Sequence, residues 1–522
     1  MDTTAPGGRG SSAGSSRAAP RKRPSDKPKK KAKKRRRTTF GGPVRPAETS
    51  YQVGGRLLVF VGEDPAMDRP YRPPKKKTSK KRKSVTKKPP STEKQALTLT
   101  EPEEDFGWGQ HFPEHLLVRT FKMVVDQEGA VPFLCRVGRV CRLWNSAASN
   151  PVLWKSVSLG HVCVAPGKRH SDQVSKKQMT TVKWLVENRF SLLREFSLNH
   201  WIKDVDNVVV AVSTGCVHLR SLCLSFCKGL TRLLFKTLAE SCRHLESLNL
   251  KHSEFPIQDL LNYLSNHGQQ LKQLMFTNTR KNFKILHAIS KGVCPNLEWL
   301  DINSEIADKD LVVPVYIQKL QAACPNLRTF KMLNGTHIFK GSDAKLESGF
   351  PELEELCLAT AYLSFTTDQD LIHTLFGSTK LLVLDLRGCS EITAFGLSHL
   401  PCLGLECLYW GQYCTMRMSS TIEGLHLLTK KWRKTLRELD IENLRFSEEE
   451  LEEALHQLTL TKRLQSLNLS GTRVTPATLR NFVGQMTNLN YLNLTSCRNL
   501  PRGVKRSYQG QDDIRGLLGK LE

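Results

Sequence analysis

Fifteen cysteines and fifteen histidines are the side chains of this sequence with the widest chemical reach, because both types ligate metals and a thiolate or imidazole can take part in nucleophilic catalysis. Their spacing points away from both uses. No two cysteines stand as CxxC, no Cys and His set has the spacing of a zinc module, and HExxH is absent. A GxxxxGK[ST] phosphate loop and a GxSxG nucleophile elbow are absent as well, so the sequence marks no catalytic residue and implies no cofactor and no metal. All the cysteines lie at or beyond Cys135, and several recur at fixed places: Cys216, Cys242, Cys294 and Cys324 each precede a leucine by three residues, and Cys227, Cys389 and Cys497 follow an apolar strand position by three. Recurrence of that kind is a packing signal. These thiols read as small buried hydrophobes in a reducing compartment, not as disulfides or ligands.

The elements that would position any functional side chain follow from the same recurrence. A frame Leu-x-x-Leu-x-Leu, tolerant of Phe, Ile, Met or Trp, begins at Leu193, Leu219, Leu245, Leu271, Leu297, Leu327, Leu353, Leu381, Leu405, Leu436, Leu464 and Leu489. The first four steps are 26 residues and the rest run from 24 to 31. A period in the twenties with this frame marks leucine-rich repeats, where each unit gives one short parallel strand and one helix that cannot bury its apolar face alone. The expected architecture is α/β, a parallel-strand horseshoe of about twelve repeats over residues 190–500. Thr231, Thr393 and Thr475 stand where helix N-caps belong. Residues 501–522 read as a cap over the last open repeat; the other reading is a tail along the concave face, with Arg502, Lys505 and Arg506 facing acidic residues there.

Strand parity then selects candidate binding residues. The second and third apolar residues of each frame point to the core, so the residues between and just beyond them line the concave face. That places Trp299, Asp301, Lys331, Asp385, Arg387, Tyr409, Asp440, Glu442 and Tyr491 there, as candidates for holding a protein substrate. Aromatic rings and charges are the residue types that anchor interfaces.

Ahead of the array, Phe112 to Trp154 is too short to bury a core of its own comfortably and carries apolar side chains that read as half of a shared core. Pro113 suits a helix start, and Leu116, Leu117, Thr120, Phe121 and Val124 recur at helical spacing. A second helix is expected after Pro132, with Phe133, Val137, Val140, Cys141 and Trp144 on its apolar side, ending at Ser149-Asn150-Pro151. Phe112-Pro113-Glu114, Leu116-Leu117, Phe121, Val140-Cys141-Arg142-Leu143-Trp144 and Leu153-Trp154 together resemble an F-box. Phe112 stands where the family usually has Leu, and the connector between Phe121 and Val140 is longer than usual. The resemblance implies docking on the Skp-type adaptor of a cullin–RING ubiquitin ligase, with Pro113, Leu116, Leu117, Phe121, Val140, Cys141 and Trp144 at or behind that interface. The bottom-up alternative is a helical cap on the first repeat. F-box followed by cysteine-type repeats is similar to the F-box and leucine-rich-repeat family. That family implies a non-catalytic substrate receptor, joined through the adaptor to cullin and RING subunits and presenting an unidentified protein target.

Charge divides the chain again. Residues 1–104 hold 28 Lys or Arg and 10 Asp or Glu, a net of +18 of the total +28, leaving +10 for the other 418 residues. Rich in Pro, Gly, Ser and Lys and without apolar periodicity, this stretch is expected to be a disordered basic tail. Inside it Arg56 to Gly62 is an apolar island that reads as a transient strand, the other reading being a short docking peptide that adds a strand to a partner. Two runs, containing Arg21, Lys22, Arg23, Lys33, Lys34, Arg35, Arg36 and Arg37, then Lys80, Lys81, Arg82 and Lys83, read as nuclear-localisation signals, with contact to nucleic acid as the second reading. Nuclear and cytoplasmic localisation is expected, since neither a signal peptide nor an apolar segment of about 18 residues is present and no membrane contact is implied. The remaining boundaries are 106–155 for the F-box and 156–189 for a linker and capping segment. In the latter, His161 to Lys177 reads as a basic loop and Thr181 to Asn188 as a short helix.

Overall fold

The computed structural model describes residues 50–53, 56–59, 112–160, 172–279, 283–304, 312–334, 336–339, 349–361, 364, 366–413 and 421–521. Both basic runs, the tail apart from residues 50–53 and 56–59, and most of the basic loop lie outside the described residues. Within residues 1–100, a unit of its own, β1 (Ser50–Val53) and β2 (Arg56–Val59) pair antiparallel, with Tyr51 opposite Leu58. Arg56–Val59 is thus a strand, as its composition suggests.

In the second unit the leucine frame acts as a register mark. Strands β3 (Ser156–Leu159), β4 (Glu195–Asn199), β5 (Ser221–Ser225), β6 (Ser247–Leu250), β7 (Gln273–Asn278), β8 (Trp299–Ser304), β10 (Thr329–Leu333), β12 (Glu355–Cys357), β13 (Val383–Asp385), β14 (Cys407–Tyr409), β15 (Glu438–Asp440), β16 (Ser466–Asn468) and β17 (Tyr491–Asn493) pair parallel in chain order. With β18 (Ser507–Gln509) they make one 14-stranded sheet. Central apolar residues face one another from strand to strand: Leu222 opposite Leu248, Leu300 opposite Phe330, Leu467 opposite Leu492. All six are buried, so a one-residue slip would turn a whole apolar row outward. Helices such as Arg232–Ser241 and Ile257–His267 close the other side of each repeat, burying Leu234 and Leu238, then Leu260 and Leu264. Each such leucine contributes about 1.5–3 kcal/mol by leaving water. The horseshoe of repeats therefore stands as expected, with strands the frame does not announce. β3 extends the sheet one strand before Leu193, pairing Val157 with Phe196. The repeats begun by Leu297 and Leu327 add β9 (Val312–Val315) and β11 (Thr336–Phe339), a separate parallel pair.

Helix caps tie one repeat to the next. Thr231, Thr393 and Thr475 are N-caps whose side chains accept backbone N–H groups. Thr231 and Thr393 also donate backbone N–H and hydroxyl to a carboxylate of the preceding helix, Asp206 and Asp368. The recurring cysteines do the same for the strand loops: Cys227 Sγ donates to Leu198 O at 3.4 Å and Cys497 Sγ to Leu469 O at 3.1 Å. Burial pushes the Cys294, Cys324 and Cys389 thiols up to about 12, which leaves them protonated packing groups.

At the start of this unit α1 (Glu114–Glu128), α2 (Phe133–Val137) and α3 (Arg142–Ser149) form a small bundle. After β3, α4 runs Asp172–Asn188, so the helix expected at Thr181 starts nine residues earlier, over part of what reads as loop. At the far end the cap reading describes the molecule. β18 pairs antiparallel with β17, placing Tyr508 opposite Leu492, and the helix Gln511–Leu518 buries Ile514 and Leu517. Lys505 pairs with Asp513 of this cap at 2.5 Å and not with the acidic concave strand. Removing residues 501–522 exposes the β17 edge and the side chains under Tyr508, Ile514 and Leu517. The expected result is a loss of about 5 kcal/mol or more in guanidinium unfolding, with concentration-dependent light scattering that the full chain does not show.

Candidate functional site

Two surfaces carry the candidate residues. On the helical bundle, Pro113 is the N-cap of α1 and not its first helical residue. Ser146 Oγ donates to Glu114 Oε1 at 2.9 Å, holding the start of α1 against α3. The helix expected to run from Phe133 through Trp144 is two helices. Gly138 ends α2, and Cys141, extended at φ −155° and ψ 176°, caps α3 by accepting the Trp144 N–H on Sγ at 3.5 Å. Val140 therefore sits in the link between helices, 63% exposed. Leu117 and Phe121 are buried, Phe121 meeting Phe133 and Trp144 edge-on at 5.7 and 5.3 Å. They support the outer surface from behind. Leu116 at 39% and Met123 at 63% exposure, with Val140, are what the bundle leaves facing water. Met123 has no motif position and only its exposure reveals it.

The bundle is joined to the array by packing as well as by chain. Trp154 is buried, its Nε1–H donates to Ala148 O at 2.8 Å, and its ring lies 6.0 Å from that of Phe190, which in turn approaches Phe196 on β4 at 6.3 Å.

On the sheet, pairing sets Asp301 beside Lys331, Asp385 beside Tyr409, and Tyr409 beside Asp440 in one row. Arg387 and Glu442 stand two residues further on, just past the ends of β13 and β15. Trp299 on β8 and Tyr491 on β17 belong to the row before, at opposite ends of the set. The parity is as expected, but the charges are not open to solvent: Asp301, Lys331, Asp385, Arg387 and Asp440 are all more than 90% buried. They are covered because they pair with one another and with neighbours across strands about 4.8 Å apart. Arg387 donates to both carboxylate oxygens of Asp385, at 2.9 and 2.6 Å, with the Tyr409 and Tyr413 rings 5.2 and 5.9 Å from its guanidinium. Lys331 donates to Glu355 at 2.8 Å and lies 5.0 Å from the Trp299 ring. Lys251 donates to Asp301, and Tyr409 OH to Glu438. Lys251, Glu355, Glu438 and Tyr413 are thus part of this face although the sequence reading passes over them. Parity applied to every frame finds the first three; Tyr413 lies beyond the strand.

Electrostatics divide the face. Burial alone would lower the Lys331 ammonium, but Glu355 beside it, with Cys357 and Asp301, raises it. On β15 burial raises the Glu438 and Asp440 carboxyls, and burial plus the neighbouring Asp440 raises Glu442. Gly411 keeps this acidic strand accessible to its own backbone contacts, since a Cβ there would stand 2.8 Å from Asp440 Oδ1 and 2.9 Å from the Glu442 nitrogen. Among the described residues no group of three or more His, Cys, Asp or Glu could hold a metal ion. What the arrangement offers is contact, through rings, pre-oriented cations and carboxylates.

The fold and surfaces define a small helical module followed by a leucine-rich-repeat solenoid. Residues 110–160 match the F-box-like family. A 234-residue stretch is 26% identical to F-box/LRR-repeat protein 4 of Bos taurus, covering 44% of this chain and 35% of that protein, so the chain spans about a third of the length of this relative. Among solved structures it resembles a chain of the crystal structure of the Rad7 and Elc1 complex in yeast (15% identity, TM-score 0.40, 78% of this chain and 85% of that chain). It also resembles a leucine-rich-repeat protein of Leptospira interrogans (16% identity, TM-score 0.36, 67% and 80%).

The acidic strand gives a pH prediction. Unfolded, Glu438, Asp440 and Glu442 titrate near 4; folded, they hold their protons to higher pH. Their contribution to stability is therefore fully present below about 4 and is lost as pH rises through the folded values. Asp440→Asn with Glu442→Gln should flatten the fall in Tm of the wild type as pH is raised from about 4 to 7. Parallel Tm curves for the two proteins would sink this reading.

Proposed function

We propose that this chain is the substrate-recognition subunit of an SCF-type E3 ubiquitin-protein ligase. Its F-box-like bundle engages the Skp-type adaptor, and through it cullin and RING subunits, while the concave sheet holds a protein target for ubiquitination and proteasomal degradation. The receptor is non-catalytic and acts by position, raising the local concentration of a target lysine near the ubiquitin thioester. The observation that carries the reading is the F-box-like match over residues 110–160 combined with Leu116, Met123 and Val140 left facing water on it. A helical cap alone, as in a nuclear leucine-rich scaffold, accounts for buried Trp154 but gives no reason for that apolar outer face.

Leu116→Glu with Val140→Glu changes only exposed positions, so circular dichroism should be unchanged, while affinity for the recombinant adaptor should fall by at least about 100-fold, two interface anchors being worth roughly 2 kcal/mol each. Equal binding by wild type and double variant, or none by either, rejects the ligase reading in favour of the scaffold. On the concave side Trp299, Asp301, Lys331, Asp385, Arg387, Tyr409, Asp440, Glu442 and Tyr491 remain the proposed substrate-facing set, now as a pre-paired surface. We also propose import into the nucleus through the two basic runs, with the cytoplasm as the second location. Deleting residues 21–37 and 75–88 should abolish nuclear accumulation of a fluorescent fusion, and unchanged localisation removes this claim.

A further inference from the structure

α4 lies beside the F-box-like bundle, and the two leave an open groove between them of about 310 Å3. Its floor is apolar and buried, formed by Leu134 and Ala148 of the bundle, Trp154 of the joint and Leu185 of α4. One wall is Trp184, 48% exposed, with the Arg189 guanidinium 4.9 Å from its ring centre. Arg139 forms the opposite lip; it is exposed and has no ion-pair partner among the described residues. No residue of the exposed adaptor-facing set, Leu116, Met123 or Val140, lines this groove.

Charge says what belongs there. Two guanidiniums, Arg139 and Arg189, and no carboxylate line the groove, and the segments that supply its walls are basic too, with four basic and no acidic side chains over residues 129–160 and four basic and two acidic over residues 172–189. An exposed tryptophan over an apolar floor is the kind of feature that anchors a protein partner. Arginines at its lips favour carboxylates, which they meet as planar forks. Nucleic acid fits the charge but not the floor, which is largely aliphatic, and the Trp184 face that a base would stack on already carries Arg189.

We propose that this groove binds a short acidic segment of a protein partner, seating one bulky apolar side chain on Leu134, Ala148, Trp154 and Leu185 while flanking carboxylates meet Arg139 and Arg189. The site is separate from the adaptor face, so it serves a ligase receptor or a scaffold equally.

The test uses the full chain and a fluorescein-labelled peptide of Glu, Asp and Ser around one central Phe, followed by anisotropy at physiological salt. Saturable binding is expected, weakened at least about tenfold, or about 1.4 kcal/mol, by Trp184→Ala, by Arg139→Glu with Arg189→Glu, and by Ala in place of the peptide's Phe. Leu116→Glu with Val140→Glu should bind the peptide as the wild type does, which keeps this result distinct from any failure of the adaptor reading. Three outcomes overturn the proposal: equal binding by the Trp184 variant, equal binding of the peptide lacking Phe, or equally tight binding of a single-stranded oligonucleotide at the same site. Each of these would assign the affinity to diffuse positive charge. Because Trp184, Arg139 and Arg189 keep partly or fully in solvent, their variants should retain the wild-type circular dichroism.

Discussion

The parallel register of the strands is the constraint on which every other feature of this unit depends. Each repeat is aligned to the one before by two backbone hydrogen bonds to a single carbonyl, as when Arg220 and Ser221 both donate to Arg194 O, at 2.8 and 2.9 Å. Glu246 with Ser247 on Arg220 O, and Lys272 with Gln273 on Glu246 O, repeat the fork. Once that fork is set, alternation sends leucines inward and polar residues onto the concave side, and spacing decides which charges become neighbours. Lys251 meets Asp301, and Lys331 meets Glu355, because the register brings them within reach, not because they are close in sequence.

That inheritance explains why buried charge is tolerated here. Removing a lone ammonium or guanidinium from water is costly, and a paired one is tolerated only when its hydrogen bonds are filled. Arg387 meets this condition with two bonds to Asp385 and two tyrosine rings; Lys331 meets it with Glu355 and Trp299. Along and just past β15 no cation of equal closeness among the described residues answers Glu438, Asp440 and Glu442, and burial shifts their carboxyls upward. The face is thus rigid and self-neutral around Lys331 and Arg387 and electrostatically strained at β15.

How much of this was legible in the sequence depended on whether a signal repeats. The leucine frame names all the interior strands of the array, and the recurring cysteines and Thr caps fall where periodicity puts them. β3 and β18 escape because each occurs once, at an end, where an edge strand needs no full frame. Splitting of the helix after Pro132 was hidden because Val137, Val140, Cys141 and Trp144 fit one helical stripe; Gly138 and the extended Cys141 cap decide otherwise. On the concave face, parity fixed the direction of each side chain but not its exposure, which depends on its partners, supplied from another repeat for Lys251 and Lys331 and from the same repeat for Arg387. Leu117 and Phe121 show the same limit: a motif position identifies an apolar residue without saying whether its partner is inside or outside the molecule.

The chain of rings from Trp154 through Phe190 to Phe196 has a geometric consequence. It packs the helical module directly onto the first strands, so the distance of a bound object from that module follows from the strand it sits on. Strand number becomes a ruler, graduated in steps of about 4.8 Å along the sheet. Two ligands seated on β8 and β15 differ in reach by the five strand spacings that separate them in the sheet order, a difference larger than any rotamer change could make up. Insertion or deletion of a single repeat would therefore alter what the far end can reach even with every contact residue intact.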